Sequence, residues 1–491
     1  MPSAELKMAC CARRILQTRK TPVPHAPTTP EPSPLRPTAE FLVVLLIGIL
    51  VFRSFAAEAY IVPTGSMAPT LLGLHREYVC NNCRKHYDLG MDEQGRSGRP
   101  VCPNCGESPH PADPGVERSG DRLLVHKHLF DMRPARRWEV AVFQNPADPR
   151  QAYVKRIVGL PGESVLIRGG DVYADGKIAR KSPEEQRALR IPVFDNDFPP
   201  ADADRYPRWI FWRSGRRRSA TGWEAVGSTF RHEPATPPVD AIDWLEYRHW
   251  QPDRARYGPI RDYTPYNGAD LPGDNRVNDL MLAATVTLGS PGAVRLWIGG
   301  EADEFVVTLP IGGAGRVEAT RNGRPVSLAG VRAGPLKLTA KVEASWFDRR
   351  LTVTLDGAPA FDPLDIDDEP LRPSPRRVAP AIGVDPGASA TVKDLKVYRD
   401  IYYTDALSSV PKRPFGVEEP YALKAGEYFV LGDNSPVSND SRFWPDSPVV
   451  RAEALLGKPF LVHLPSQGVP LQVFGRELYW IPDPRQIRYI R

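Results

Sequence analysis

One stretch of the chain is apolar without interruption, and most of the sequence beyond it alternates. Phe41 to Phe52 reads FLVVLLIGILVF, whereas a membrane-crossing helix needs about 20 residues. Ala39-Glu40 before the run and Ser54 to Ala57 after it, with Arg53 reaching an interface on its long stem, extend it to a spanning segment over 39–58. Lys7, Arg13, Arg14, Arg19 and Lys20 precede it. By the positive-inside rule the N-terminus then stays in the cytoplasm and everything from Tyr60 onward lies on the extracytoplasmic side. A cleavable signal sequence is the alternative, since Ala57-Glu58-Ala59 has the form of a cleavage site; the long leader ahead of the apolar core favours an anchor that stays. Residues 1–38 are basic, then proline-rich, and read as a flexible tail whose Cys10 and Cys11 are either free or lipidated.

Beyond Tyr60 the dominant period is two, which predicts strands. Tyr153, Lys155 and Ile157 share one face of a short strand, and Val154, Arg156 and Val158 the other, before the turn Leu160-Pro161-Gly162. Leu336, Leu338, Ala340, Val342, Ala344 and Trp346 alternate, as do Leu351, Val353 and Leu355. Asn322-Gly323 and Asp356-Gly357 have the form of two-residue hairpin loops. Arg205 to Val226, rich in Trp, Arg and Pro, reads as irregular. With 53 prolines in 491 residues and no long helical pattern after the first apolar run, the fold class is mainly β behind an N-terminal transmembrane helix. The length suits roughly two to four domains. A net charge of +5 with both signs interspersed gives no electrostatic footprint for nucleic acid, and no nucleic-acid-reading motif occurs.

The candidate chemistry begins at Tyr60–Gly73, YIVPTGSMAPTLLG, where Ser66 stands in a turn with no histidine beside it. A serine hydroxyl needs a base to act as a nucleophile. Lys155 is the candidate: buried on its strand, its amine would titrate low enough to accept a proton near neutral pH; pointing to water, it would be an ordinary surface cation. A third stretch, Gly426–Ser447, runs from a strand into a loop dense in Gly, Asp, Asn and Ser.

Taken in order, the apolar run, VPTGSMAPTL, GDRLLVHKHLF, YVKRIVGLPGE and GDNSPVSNDSR closely resemble the bacterial type I signal peptidases. The resemblance covers the anchor, residues 60–178 with one interruption, and 421 to about 465. It implies a serine endopeptidase of the cytoplasmic membrane with Ser66 as nucleophile and Lys155 as general base, and no cofactor for catalysis. It further implies that Thr64, where the family usually has serine, joins the Ser66 N–H as oxyanion donor. Ser438 would orient the lysine amine, and Asp440 and Arg442 would brace the site. The implied partners are the bilayer and the signal peptides of exported preproteins, cut after small residues of A-x-A type. Ser435-Pro436-Val437 departs from the charged residues often found there.

Two insertions interrupt the match. Residues 79–106 hold Cys80, Cys83, Cys102 and Cys105 as two Cys-x-x-Cys pairs, the spacing of a structural zinc ribbon; two disulfides are the alternative. Residues 179–405 read as a β-sandwich similar to concanavalin-like jelly rolls, with tryptophans that either stack on carbohydrate or staple the core. The organisation is then a tail (1–38), an anchor (39–58), a first catalytic part (59–178), the inserted sandwich (179–405), and a second catalytic part ending in a basic, aromatic tail (406–491). An anchored extracytoplasmic carbohydrate- or protein-binding protein, working through the sandwich, is the competing function.

Overall fold

The computed structural model describes residues 35–490, leaving out 56, 93, 216–219, 235–240, 272, 301, 314, 336, 368–378, 405–413, 465–467, 474–475 and 483–486. Residues 1–34 with Cys10 and Cys11, Leu336 of the alternating run, and the expected end of the sandwich at residue 405 lie outside the described residues. The chain divides into two compact units, residues 1–53 and 54–491.

The apolar run forms a helix, Leu35–Phe55, all but its last two residues in the first unit. Pro37 is tolerated because the first-turn N–H groups have no intrahelical acceptor. Phe41 to Ile47 and Ile49 are each about half exposed or more. Among the described residues no helix is long and apolar enough to cross a membrane. The expected boundary at 58 also shifts: Ala57–Ile61 alternates, finds an antiparallel partner in Arg122–His126, and becomes a strand.

The second unit is mainly β. An eight-stranded antiparallel sheet runs in the order Ala57–Ile61, Arg122–His126, Leu455–Leu464, Val140–Gln144, Ala152–Gly159, Glu427–Leu431, Val450–Arg451, with Arg488–Tyr489 beside Leu455–Leu464. The C-terminal segment therefore packs on this sheet: Ile490 enters its core and Arg488 Nη2 donates to Asp121 Oδ2 at 2.8 Å. A four-stranded sheet comes next (Lys177–Ile178, Asp171–Ala174, Ser164–Arg168, Tyr421–Ala422).

Strands between Ile191 and Arg399 build a nine-stranded and a seven-stranded sheet, which close over one apolar core from Phe194 to Val397. Ala340, Val342, Ala344, Trp346, Leu351, Val353 and Leu355 all face that core, as their alternation predicts. Asn322-Gly323 and Asp356-Gly357 adopt positive φ and turn hairpins. The stretch expected to be irregular contains two strands. Trp209–Arg213 and Trp223–Val226 are strands, with Trp209 and Trp223 in the core and Arg213 paired to Asp243 at 2.6 Å. Arg213, which masks the pattern in sequence, is neutralised by a carboxylate 30 residues away.

At the entrance to the sandwich, Ser182 and Glu185 form a capping box on the helix Pro183–Leu189. Just before it, buried Lys181 donates to Asp348 and Asp400, both at 2.7 Å, joining both ends of the inserted segment to its interior. The pairs Cys80/Cys83 and Cys102/Cys105 hang beneath a three-stranded sheet, His86–Gly90, His75–Val79 and Val116–Arg118.

Candidate active site

Ser66 occupies a short 3-10 turn, Gly65–Met67, pinned by the fully buried side chains of Met67 and Leu71. Two groups of Asn434 hold its backbone: the N–H donates to Ser66 O at 3.1 Å and Nδ2 to Gly65 O at 2.9 Å. Lys155 reaches the turn from the strand Ala152–Gly159, and its Nζ donates to Ser66 Oγ at 2.6 Å. Thr64 Oγ1 lies 3.5 Å from Ser66 Oγ.

The lysine is 5% exposed. Burial pushes its pKa down from 10.5 to about 8, against the opposing pull of the Asp440 and Asp433 carboxylates. Tyr153 stands on the same face, its ring centroid 5.6 Å from Nζ. The opposite face of the strand is buried as well. Arg156 donates to both oxygens of Asp433, at 2.7 and 2.5 Å, and to Trp138 O at 2.6 Å. Asp433 also accepts the Thr70 hydroxyl at 2.5 Å, tying the segment after the serine to the loop after Glu427–Leu431.

Asp440 and Arg442 form a buried pair at 2.7 Å. Asp440 accepts the Gly432 N–H, while Arg442 donates to Thr404 O and Ser435 Oγ. Ser438 differs from expectation. Its hydroxyl is buried without a hydrogen-bond partner, and the bond to the lysine amine is not formed. Ser438 instead packs beside Gly432, where an added Cβ would overlap both Ser438 and the Ser66 carbonyl; only glycine lets the loop approach Ser66 this closely.

Thr64, Ser66, Lys155 and Asn434 border a cleft of about 850 Å³. One wall is apolar and belongs to the eight-stranded sheet (Ile61, Leu123, Val142, Tyr153, Val154); the other carries Met91 and Arg96 beside Tyr266, Asn267 and Leu271. The structure thus brings together Ser66, Lys155 and Thr64, with Asp440 and Arg442 behind them. Sequence reasoning missed Asp433 and Asn434, although both stand in the loop motif. It also missed Tyr266 and Asn267, which no local pattern marks.

The four cysteines are buried, unpaired, and converge. Cys80 Sγ is 3.4 Å from Cys105 Sγ, and Cys83 Sγ 3.6 Å from Cys102 Sγ. A disulfide would need about 2.05 Å, whereas thiolates about 2.3 Å from a tetrahedral zinc stand a little under 4 Å apart. The two loops repeat one geometry: Cys80 N–H to Lys85 O and Cys102 N–H to Glu107 O, with Arg84 and Gly106 at positive φ after each pair. The donor set fits zinc. Of the tryptophans of the inserted segment, Trp209, Trp223 and Trp346 lie in the sandwich core.

Residues 106–207 and 381–464 match the family model described as signal peptidase, peptidase S26. Lys155, Ser438, Asp440 and Arg442 lie inside these segments and Ser66 outside them. A probable signal peptidase I-2 of Synechocystis sp. is 30% identical over 142 residues, 28% of this chain and 42% of the relative. The signal peptidase I of Leptolyngbya laminosa is 28% identical over 189 residues, 36% of this chain and 66% of the relative. The chain therefore spans less than two thirds of either relative. Among solved structures, a carbohydrate-binding module (CBM66) from Bacillus subtilis covers 39% of this chain and 94% of its own, at 10% identity and a TM-score of 0.24, a likeness too slight to carry an argument.

Proposed function

The chain belongs to the type I signal peptidase family, and from that premise we propose that it is a membrane-anchored serine endopeptidase that removes signal peptides from exported preproteins. The observation that carries the reading is the 2.6 Å contact between Lys155 Nζ and Ser66 Oγ at the edge of a cleft large enough for an extended peptide. Neutral Lys155 takes the Ser66 proton as Oγ attacks the scissile carbonyl. The Ser66 N–H and the Thr64 hydroxyl receive the developing oxyanion, each such donor supplying about 3–4 kcal/mol. The lysine ammonium then protonates the leaving amine. A water that gives its proton to the same lysine cleaves the acyl-enzyme and restores Ser66. The apolar wall suits the small side chains of an A-x-A site.

Cleavage of such a preprotein by the solubilised full chain tests this. Ser66→Ala and Lys155→Ala should each lower the rate at least about a thousandfold. No cleavage of several preproteins by the wild type would reject the reading.

The helix Leu35–Phe55 is the anchor in this reading, supported by its ring of apolar side chains and the basic residues before it. The full chain should stay with membranes after an alkaline wash, and a chain lacking residues 1–55 should not. Cys80, Cys83, Cys102 and Cys105 would hold a zinc ion, which supplies a structural cross-link and no chemistry. One zinc per chain by elemental analysis, lost in Cys105→Ser, is the expected result; none in the wild type would exclude it.

A further inference from the structure

The turn Pro265–Asn267 belongs to the inserted segment, yet it lies against the nucleophile. The buried Tyr266 ring fills the space beneath Gly65 and Gly90, so that a Cβ on either glycine would overlap it, and its hydroxyl donates to Leu74 O at 2.9 Å. Ala269 N–H donates to Arg99 O at 3.0 Å, fastening the turn to the chain before Cys102.

Asn267 makes a reciprocal amide pair with Asn434. Its Nδ2 donates to Asn434 Oδ1 at 2.8 Å, and Asn434 Nδ2 donates to Asn267 Oδ1 at 2.7 Å. Asn434 is fully buried, and every polar atom of its side chain is committed: one N–H to Gly65 O, the other N–H and Oδ1 to Asn267. Without Asn267 a buried amide keeps one acceptor and one donor unmatched, and nothing fixes which way it faces the Ser66 turn.

We propose that Asn267 is a positioning residue for Ser66, acting through Asn434, so that the inserted segment is part of the catalytic apparatus. The inference rests on Ser66 being the nucleophile, as proposed above. Asn267 touches no reacting atom. It holds the side-chain amide that holds the Gly65 carbonyl, next to the Asn434 backbone N–H that holds the Ser66 carbonyl, and so keeps Oγ within reach of Lys155 Nζ. A misplacement of order 1 Å at a reacting centre costs about a hundredfold.

The test follows acylation of Ser66 by a small aryl ester, which does not depend on knowing the preprotein. Oγ bonds to the ester carbonyl carbon, the aryl–oxygen leaving group departs, and the serine proton passes to Lys155. The label is located by peptide mass spectrometry on the solubilised full chain. Asn267→Ala should slow labelling about ten- to a hundredfold, with reagent affinity changed less than twofold and the melting temperature showing a folded protein. Asn267→Asp, of equal size, keeps the acceptor, loses the donor, and should slow it as well. Asn434→Ala should slow labelling at least as much, and Asn267→Ala should add nothing further to it, because both act through one amide.

Labelling of Asn267→Ala within twofold of wild type, or losses that multiply in the double variant, would overturn the inference. Wild type that labels at Ser66 but cuts no preprotein would leave it standing and reject the function. Wild type that does not label at Ser66 would reject both.

Discussion

Two lysines are buried among the described residues, Lys155 at 5% and Lys181 at 3% exposure. Lys155, in the cleft, gives one hydrogen bond to a neutral hydroxyl and has its carboxylates at a distance. Lys181, at the entrance to the sandwich, gives two bonds to carboxylates at 2.7 Å and sits 4.5 Å over the Trp138 ring. Burial lowers the pKa of the first to about 8, while Asp348 and Asp400 outweigh burial and raise the second above 10.5. Dehydration alone thus does not lower a lysine's affinity for its proton. It does so only where the site withholds direct anionic contact, and the same side chain becomes a permanent cation where anions are supplied.

Removing the cation from the junction should have the larger effect on stability. Lys181→Met removes the direct ion-pair partner of the buried Asp348 and Asp400, beside Asp279 and Asp171, whose carboxyls burial already pushes up, Asp171 to about 7. Breaking a buried pair from one side costs about 3–5 kcal/mol, read as a lowered urea midpoint at pH 8. A loss below about 1 kcal/mol would show that the carboxyls take up protons instead, and that the contrast between the lysines is smaller than their contacts indicate.

Lys155→Met should act in the opposite direction. Folded Lys155 releases its proton near pH 8, and an unfolded lysine near 10.5. The unfolded chain therefore binds more protons between these values, stability rises with pH across the window, and the cost of the buried ammonium is full below pH 8. The variant should be about 3 kcal/mol more stable than wild type at pH 7, the gain fading as pH rises to about 10.5. It should have no activity, and the wild-type rate should climb through about pH 8. A stability difference that stays constant from pH 6 to 10 would mean that Lys155 keeps an ordinary affinity for its proton.

The same contrast marks what the sequence made legible. Lys155 was readable because alternation puts Tyr153 and Lys155 on one face and because three separated motifs stand in a fixed order. The sandwich core was readable from Ala340 to Leu355, where period two and the Asp356-Gly357 turn agree. Lys181 was not readable, since its partners Asp348 and Asp400 are 167 and 219 residues away. Asn267 escaped for the same reason: an amide pair across 167 residues leaves no local periodicity. The strand Trp209–Arg213 was hidden because Arg213 looks solvated until Asp243 is folded against it.

Ser438 offers the finest division between the two lysine environments. Two bonds to carboxylates and the Trp138 ring face the Lys181 ammonium, whereas Ser66 is the hydrogen-bond partner of Lys155 and the Ser438 hydroxyl is buried without a partner. Replacing an unpartnered buried hydroxyl by a methyl group removes a desolvated polar atom and little else. Ser438→Ala should therefore leave stability within about 1 kcal/mol of wild type, or slightly above it, and the rate within about threefold. If the hydroxyl instead turned to accept an N–H of Lys155 in its charged state, it would favour the ammonium. Its loss would then move the midpoint of the rate profile below 8 and lower the rate tenfold or more. An unmoved midpoint with a near-normal rate would leave the lysine's low affinity for its proton resting on burial without a direct anionic partner, the property that separates it from Lys181.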